Sequence, residues 1–192
     1  FKSLGQLGDH KKEFFQSCGI PIDKPFVTYI EEGIVENKFW VNGDRINFID
    51  EISKICDEEG YNLVIKLHPR SITGPNRSSF NALKNVVLLE QVDFSKLMHF
   101  TEICVSHYST MLVFPMLLDK PIIVPRWGKS ANLLTLNSDK DVTFVPSLSD
   151  FRNLIRKKDF HYEREESLNK IVPYRDGKTD ERVATYILEL IP

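Results

Sequence analysis

Leu63-Val64-Ile65-Lys66-Leu67-His68-Pro69-Arg70 decides the fold. A short apolar run rich in Val, Ile and Leu, without polar alternation, reads as a strand buried on both faces, the signature of a parallel sheet covered by helices. It ends abruptly in a histidine, a proline and an arginine. A second stretch repeats the design: Ile103-Cys104-Val105 runs into Ser106-His107-Tyr108-Ser109-Thr110 and then into apolar Met111-Leu112-Val113-Phe114. In open α/β sheets, ligands bind beyond the carboxyl ends of the strands. Two strands that both deliver phosphate-capable side chains at that edge point to a nucleotide-type ligand.

Working outward, strands and helices alternate. Strands are expected at residues 25–30, 61–67, 86–89, 102–106, 121–124 and 141–145. Helices are expected at 11–18, 78–84, 94–100, 110–118, 149–157 and 180–190. Another is expected where Ile46, Phe48, Ile49, Ile52 and Ile55 recur at helical spacing up to Gly60. Pro115 inside the 110–118 segment removes a backbone donor and implies a kink or a late start. The fold class expected is therefore α/β, a Rossmann-like parallel sheet with helices on both faces. Residues 1–23 are expected to be an extension or linker, and 24–192 the ligand-binding domain.

Composition narrows the function. Apolar residues make up 42% of 192 and charged residues 27%, with a net charge of −2, so there is no overall pull toward nucleic acid. The 3 cysteines stand far apart, which fits a reducing, cytoplasmic setting and no disulfide scaffold. The longest apolar run is far below the ~20 residues of a membrane span. Nothing at the start resembles a secretory signal, and the chain opens on Phe1, as a fragment of something longer would.

Four loops follow the strands expected to share one edge: Glu31-Glu32-Gly33, His68-Pro69-Arg70, Ser106 to Thr110, and Pro125-Arg126-Trp127-Gly128. Pro69 holds His68 extended at its strand tip, where an imidazole can donate to a phosphate or protonate a leaving oxygen. Ser109 and Thr110 stand where a helix begins; a hydroxyl there caps the helix, or helps it hold an anion. His107 either faces the crevice or covers the sheet edge. Arg70 and Arg126 either grip phosphate bidentately or stand as surface charges. Glu31-Glu32 is a solvated acidic loop or the source of a general base, with Glu32 the candidate, since crowding raises one carboxyl pKa. His68 and His107 lack the carboxylate set of a metal site, so no metal is expected. Asp176-Gly177-Lys178-Thr179 reads as a turn before the last helix.

These motifs, in this order, resemble the C-terminal nucleotide-binding half of GT-B glycosyltransferases, above all the CDP-glycerol glycerophosphotransferases and the capsule-polysaccharide transferases. The likeness runs from Lys24 to the C-terminus. It rests on Ile65-Lys66-Leu67-His68-Pro69-Arg70, on His107-Tyr108-Ser109-Thr110, on Leu118-Asp119-Lys120-Pro121-Ile122-Ile123, and on Asp176 to Ala184. It implies that His68 contacts donor phosphates or assists nucleotide departure, that Ser109 and Thr110 hold phosphate, and that Gly177 and Lys178 lie near the donor. Ser106, His107, Arg70 and Arg126, read from the loops themselves, complete the candidate donor-binding set.

His107 stands where the glycerophosphotransferases usually carry Asp. Glu31-Glu32-Gly33 with His68-Pro69 echoes the bacterial sialyltransferases, so a CMP-sugar donor stands beside a CDP-linked one. By this likeness the activated donor is a substrate, no separate cofactor is needed, and the acceptor is a surface polysaccharide or lipid-linked chain. The acceptor domain, and any peripheral attachment to the inner face of a membrane, is expected outside this chain, which alone would bind the donor without turning it over. Two other readings stand beside it: a nucleotide-sugar epimerase or hydrolase, and a non-catalytic α/β binding or regulatory module. A phospho-receiver version of the latter would want an Asp where Glu90-Gln91 follow the third strand.

Overall fold

In the computed structural model, which describes residues 11–133, 138–182 and 185, six parallel strands form one sheet. They are β1 (Phe26–Ile30), β2 (Asn62–Lys66), β3 (Val86–Leu89), β4 (Ile103–Val105), β5 (Ile122–Pro125) and β6 (Thr143–Val145), in the order β3-β2-β1-β4-β5-β6. The chain winds outward from β1 to β3 and then returns to lay β4 against the other side of β1. The switch point of this doubly wound sheet therefore lies between β1 and β4.

Alternation of side chains across a strand explains why both faces are covered. Val27 and Tyr29, Leu63 and Ile65, Ile103 and Val105 enter one apolar cluster; Phe26 and Ile30, Val64, and Cys104 enter the other. The first cluster is closed by α2 (Asn42–Glu58) and α6 (Leu148–Lys157). The second is closed by α1 (Lys11–Cys18), α4 (Phe94–Phe100), α5 (Val113–Leu117) and α7 (Glu165–Ile171). On α2, Phe48, Ile49, Ile52, Ile55 and Cys56 make the buried stripe. Gly60, at φ 82, takes the left-handed turn that lets Tyr61 N–H close back on the Cys56 carbonyl at 2.8 Å.

Several expectations change. Within the expected 1–23 extension, Phe14, Phe15 and Ile20 are buried, and Phe15 meets Phe26 of β1 edge to face at 5.5 Å. The helix expected over 110–118 splits into a 3-10 turn (Thr110–Leu112) and the five-residue α5, because Pro115 cannot donate to the turn before it. The helix expected at 78–84 is a 3-10 segment, Arg77–Ala82. The short α3 (Pro69–Thr73) and α7 were not expected. Of the segment 180–190, the described residues 180–182 and 185 are helical and the remainder lies outside the described residues. No described helix is long and apolar enough to cross a membrane.

Candidate functional site

The carboxyl ends of β2, β1 and β4 stand side by side, so His68, Glu31-Glu32-Gly33 and Ser106 to Thr110 share one edge. With strands about 4.8 Å apart, the tips of β2 and β4 are separated by roughly 10 Å. On the β2 side, His68 is the extended N-cap of α3, and Pro69 occupies the first turn, where no backbone donor is needed. Arg70 N–H donates to His68 Nδ1 at 3.1 Å. In the neutral ring that leaves the proton on Nε2, as a donor on a half-exposed side chain. The ring lies against Gly33: at φ 65 this residue carries no Cβ, and one placed there would stand 3.1 Å from Nδ1.

Beneath His68 is a buried ionic cluster. Arg45 is wholly buried; its guanidinium lies 3.5 Å from Glu31 Oε1 and 3.2 Å from Glu36 Oε2, and stacks on Phe80 at 4.4 Å. Ser71 of α3 donates to Glu31 Oε2 at 2.6 Å.

On the β4 side, Ser109 caps the 3-10 turn, accepting from Met111 N–H at 3.1 Å. Beside it opens a cavity of about 380 Å³, walled by Tyr108, Ser109 and Thr110, by Asp141, and by Ser167 and Lys170 of α7. That volume is in the range of small-molecule sites. Burial pushes the Tyr108 phenol above its usual pKa, so it remains an O–H donor.

The other residues singled out from the sequence fall in different places. Ser106 and His107 are fully buried and present no surface to a ligand. Glu32, 5% exposed, accepts from Ser106 Oγ and from His107 and Tyr108 N–H groups at 2.6 and 3.1 Å. Arg70 is exposed and donates to Asn37 Oδ1 at 2.7 Å. Arg126 donates to the Leu133 carbonyl and stacks on Phe144 at 4.8 Å. Gly177 takes φ 76, and Lys178 N–H donates to Asp176 Oδ1 at 3.1 Å in an exposed turn. Sequence reasoning missed Ser167 and Lys170, because α7 buries only Leu168 and so carries no apolar period. Among the described residues, no group of three or more His, Cys, Asp or Glu could hold a metal ion.

A doubly wound parallel sheet, with this polar edge at its switch point, defines a Rossmann-like domain. Residues 44–189 match the family model "CDP-Glycerol:Poly(glycerophosphate) glycerophosphotransferase", and the chain belongs to that family. No curated protein sequence matches it. Among solved structures it is similar to the wall teichoic acid polymerase TagF, at 13% identity and TM-score 0.64, covering 97% of this chain and 49% of that one. It is also similar to Methanocaldococcus jannaschii UDP-GlcNAc 2-epimerase in complex with UDP-GlcNAc and UDP, at 17% identity and TM-score 0.62, covering 98% and 50%. A third is E. coli ADP-heptose lps heptosyltransferase II, at 12% identity and TM-score 0.50, covering 79% and 52%. The chain thus spans about half the length of these structures, and at such identities the likeness is one of fold.

Proposed function

We propose that this chain is the donor-binding part of a transferase that moves a glycerophosphate or sugar unit from a cytidine-nucleotide-activated donor to a surface-polysaccharide or lipid-linked acceptor. The family match over residues 44–189 carries the reading. The geometry supports it, because one sheet edge carries an imidazole donor and, roughly 10 Å along it, hydroxyls at a cavity of suitable size.

In the reaction an acceptor hydroxyl, giving up its proton to an acceptor-side base, forms the new bond to the transferred unit, the bond to the nucleotide breaks, and negative charge gathers on the departing phosphate. His68 Nε2–H donates to that phosphate, where a preorganised donor stabilises developing charge without rearranging. Ser109, whose oxygen already accepts from Met111 N–H, keeps its O–H free to donate; Thr110 adds a second hydroxyl. Because the helix after them is short and broken, these hydroxyls matter more than any helix dipole. Lys170 stands across the cavity, its ammonium paired with Glu166 at 2.7 Å in the ligand-free chain and placed to turn to phosphate, and Arg70 is placed to swing from Asn37 to phosphate. Gly177 and Lys178 are proposed to lie near the donor on family likeness alone. Catalysis belongs to the whole protein and to acceptor-side groups supplied with this domain.

The test is calorimetric titration of CMP, CDP, CDP-glycerol and UDP into the chain. Cytidine nucleotides are expected to bind selectively. A hydrogen bond to a charged group is worth about 1.5–3 kcal/mol, so His68→Ala weakens binding roughly 10- to 100-fold. Ser109→Ala weakens it less. Preferential UDP binding would replace the cytidine donor by a uridine one, and failure of all four to bind would sink the reading.

A further inference from the structure

Glu31 and Glu32 are consecutive, 2% and 5% exposed, and stand at the tip of the strand that separates the two walls of the crevice. Consecutive residues of an extended chain point to opposite sides. Glu31 turns to the β2 side. Its Oε2 accepts from His68 N–H at 3.3 Å and from the Ser71 hydroxyl at 2.6 Å, and its Oε1 from Ile34 N–H at 3.3 Å with Arg45 at 3.5 Å. Glu32 turns to the β4 side. It gathers the Ser106 hydroxyl and two successive backbone N–H groups, of His107 and Tyr108, immediately before Ser109. Its Oε2 stands 3.3 Å from His107 Nδ1, and His107 Nε2 stands 3.0 Å from Ser130 Oγ in the loop after β5.

The geometry points to a clamp in which each carboxylate serves its own side: Glu31 sets the position of His68, and Glu32 sets that of the Ser109-Thr110 hydroxyls. Both are positioning residues. A general base must come within hydrogen-bond reach of the proton it takes, and neither carboxylate exposes an edge that an acceptor hydroxyl could approach. Each is stabilised on its own side, Glu31 by Arg45 and Glu32 by a fan of uncharged donors, while the two walls meet at Asn37, which accepts from Arg70 and donates to the Glu32 backbone carbonyl at 3.2 Å. What the walls hold rests on the donor reading above; the clamp itself rests only on these contacts.

A crossover experiment by nuclear magnetic resonance, on the full ligand-free chain, tests it. Glu31→Gln is expected to shift the His68 ring nitrogens and to leave the Ser109 and Thr110 amides in place. Glu32→Gln is expected to shift those amides and the His107 ring and to leave the His68 nitrogens in place. A shift that crosses to the opposite wall, or a wall that stays still when its own carboxylate is changed, overturns the clamp. If a glutamine variant does not fold, Ser71→Ala and Ser130→Ala remove one outer contact on each side and are read in the same way. Titration of CDP-glycerol then gives the consequence: each folded variant weakens binding by about tenfold or more, since a small misplacement of an aligned group is costly, and unchanged affinity in both overturns the positioning role. If the unmodified chain binds no cytidine nucleotide, the donor reading falls, while the crossover still decides the clamp.

Discussion

At the scale of the residue, Gly33 governs the histidine. It adopts φ 65, and a Cβ there would meet His68 at 3.1 Å from Nδ1 and 3.4 Å from Cγ. An L side chain in the left-handed region costs about 1–2 kcal/mol by itself. Gly19 has the same φ of 65 but open space around it, so it reports that backbone cost alone. Gly33→Ala is therefore expected to destabilise more than Gly19→Ala in urea unfolding, because the ring that accepts from Arg70 N–H must also be displaced. It is also expected to weaken nucleotide binding, which Gly19→Ala leaves unchanged. Equal losses of stability in the two variants would show that the ring is not packed on Gly33.

At the scale of the element, the attachment of α2 and α3 to the tip of β1 depends on one buried cation. Arg45 serves Glu31, Glu36 and Asn42, the last at 2.7 Å, with none of its own surface exposed. Removing one partner from a buried ionic cluster leaves uncompensated charge and costs about 3–5 kcal/mol, a large share of the ~5–15 kcal/mol that folds a domain. Arg45→Met is expected to lose stability on that scale, and adding Glu31→Gln and Glu36→Gln to recover much of it. A single-variant loss below ~1 kcal/mol, measured in denaturant, would show that the cluster does not hold these elements.

Elements of this kind also mark what the sequence discloses. The strands were legible, to within one or two residues at each end, because Val- and Ile-rich runs without alternation have few other uses, and Ile49, Ile52 and Ile55 announce α2 by their spacing. The placing of His68, Ser106, His107, Ser109 and Arg126 at strand ends was legible for the same reason. Their burial was not. The sequence leaves His107 open between facing the crevice and covering the sheet edge; it is enclosed by Tyr29, Trp40 and Phe48 at 5.0–5.8 Å, contacts that span 59 to 78 residues of chain. α3 was hidden because a proline after a histidine reads as extended chain, whereas here His68 caps the helix that Pro69 opens.

At the scale of the whole molecule, the sheet divides two separate cores, and a cysteine reports on each. Cys56 lies in the cluster under α2, Cys104 in the cluster on the other face, and Cys18 on α1 is half-buried. Burial pushes the Cys56 thiol from 9.0 up to about 12, and burial above all, with Glu32 adding to it, pushes Cys104 upward as well. Only Cys18 of the three is therefore expected to react promptly with an alkylating reagent in the folded chain at pH 8, and all three after unfolding. The sign of the pH dependence follows from the same shifts. A folded pKa above the unfolded one means the native state holds its proton longer. The corresponding stability is complete below about pH 9, declines as the unfolded thiols ionise, and is fully lost as pH rises through the folded values. Each such group removes about 1.4 kcal/mol per pH unit within its window. Tyr29, raised by burial and then by Glu32 and Glu31, acts in the same direction from its ordinary value of 10.0. Denaturant midpoints measured under reducing conditions should be level from pH 7 to 8.5 and fall between pH 9 and 11. A flat profile across that whole range, or prompt labelling of more than one thiol in the native chain, would mean that the two cores are open to water and that the sheet edge they support is not held rigidly.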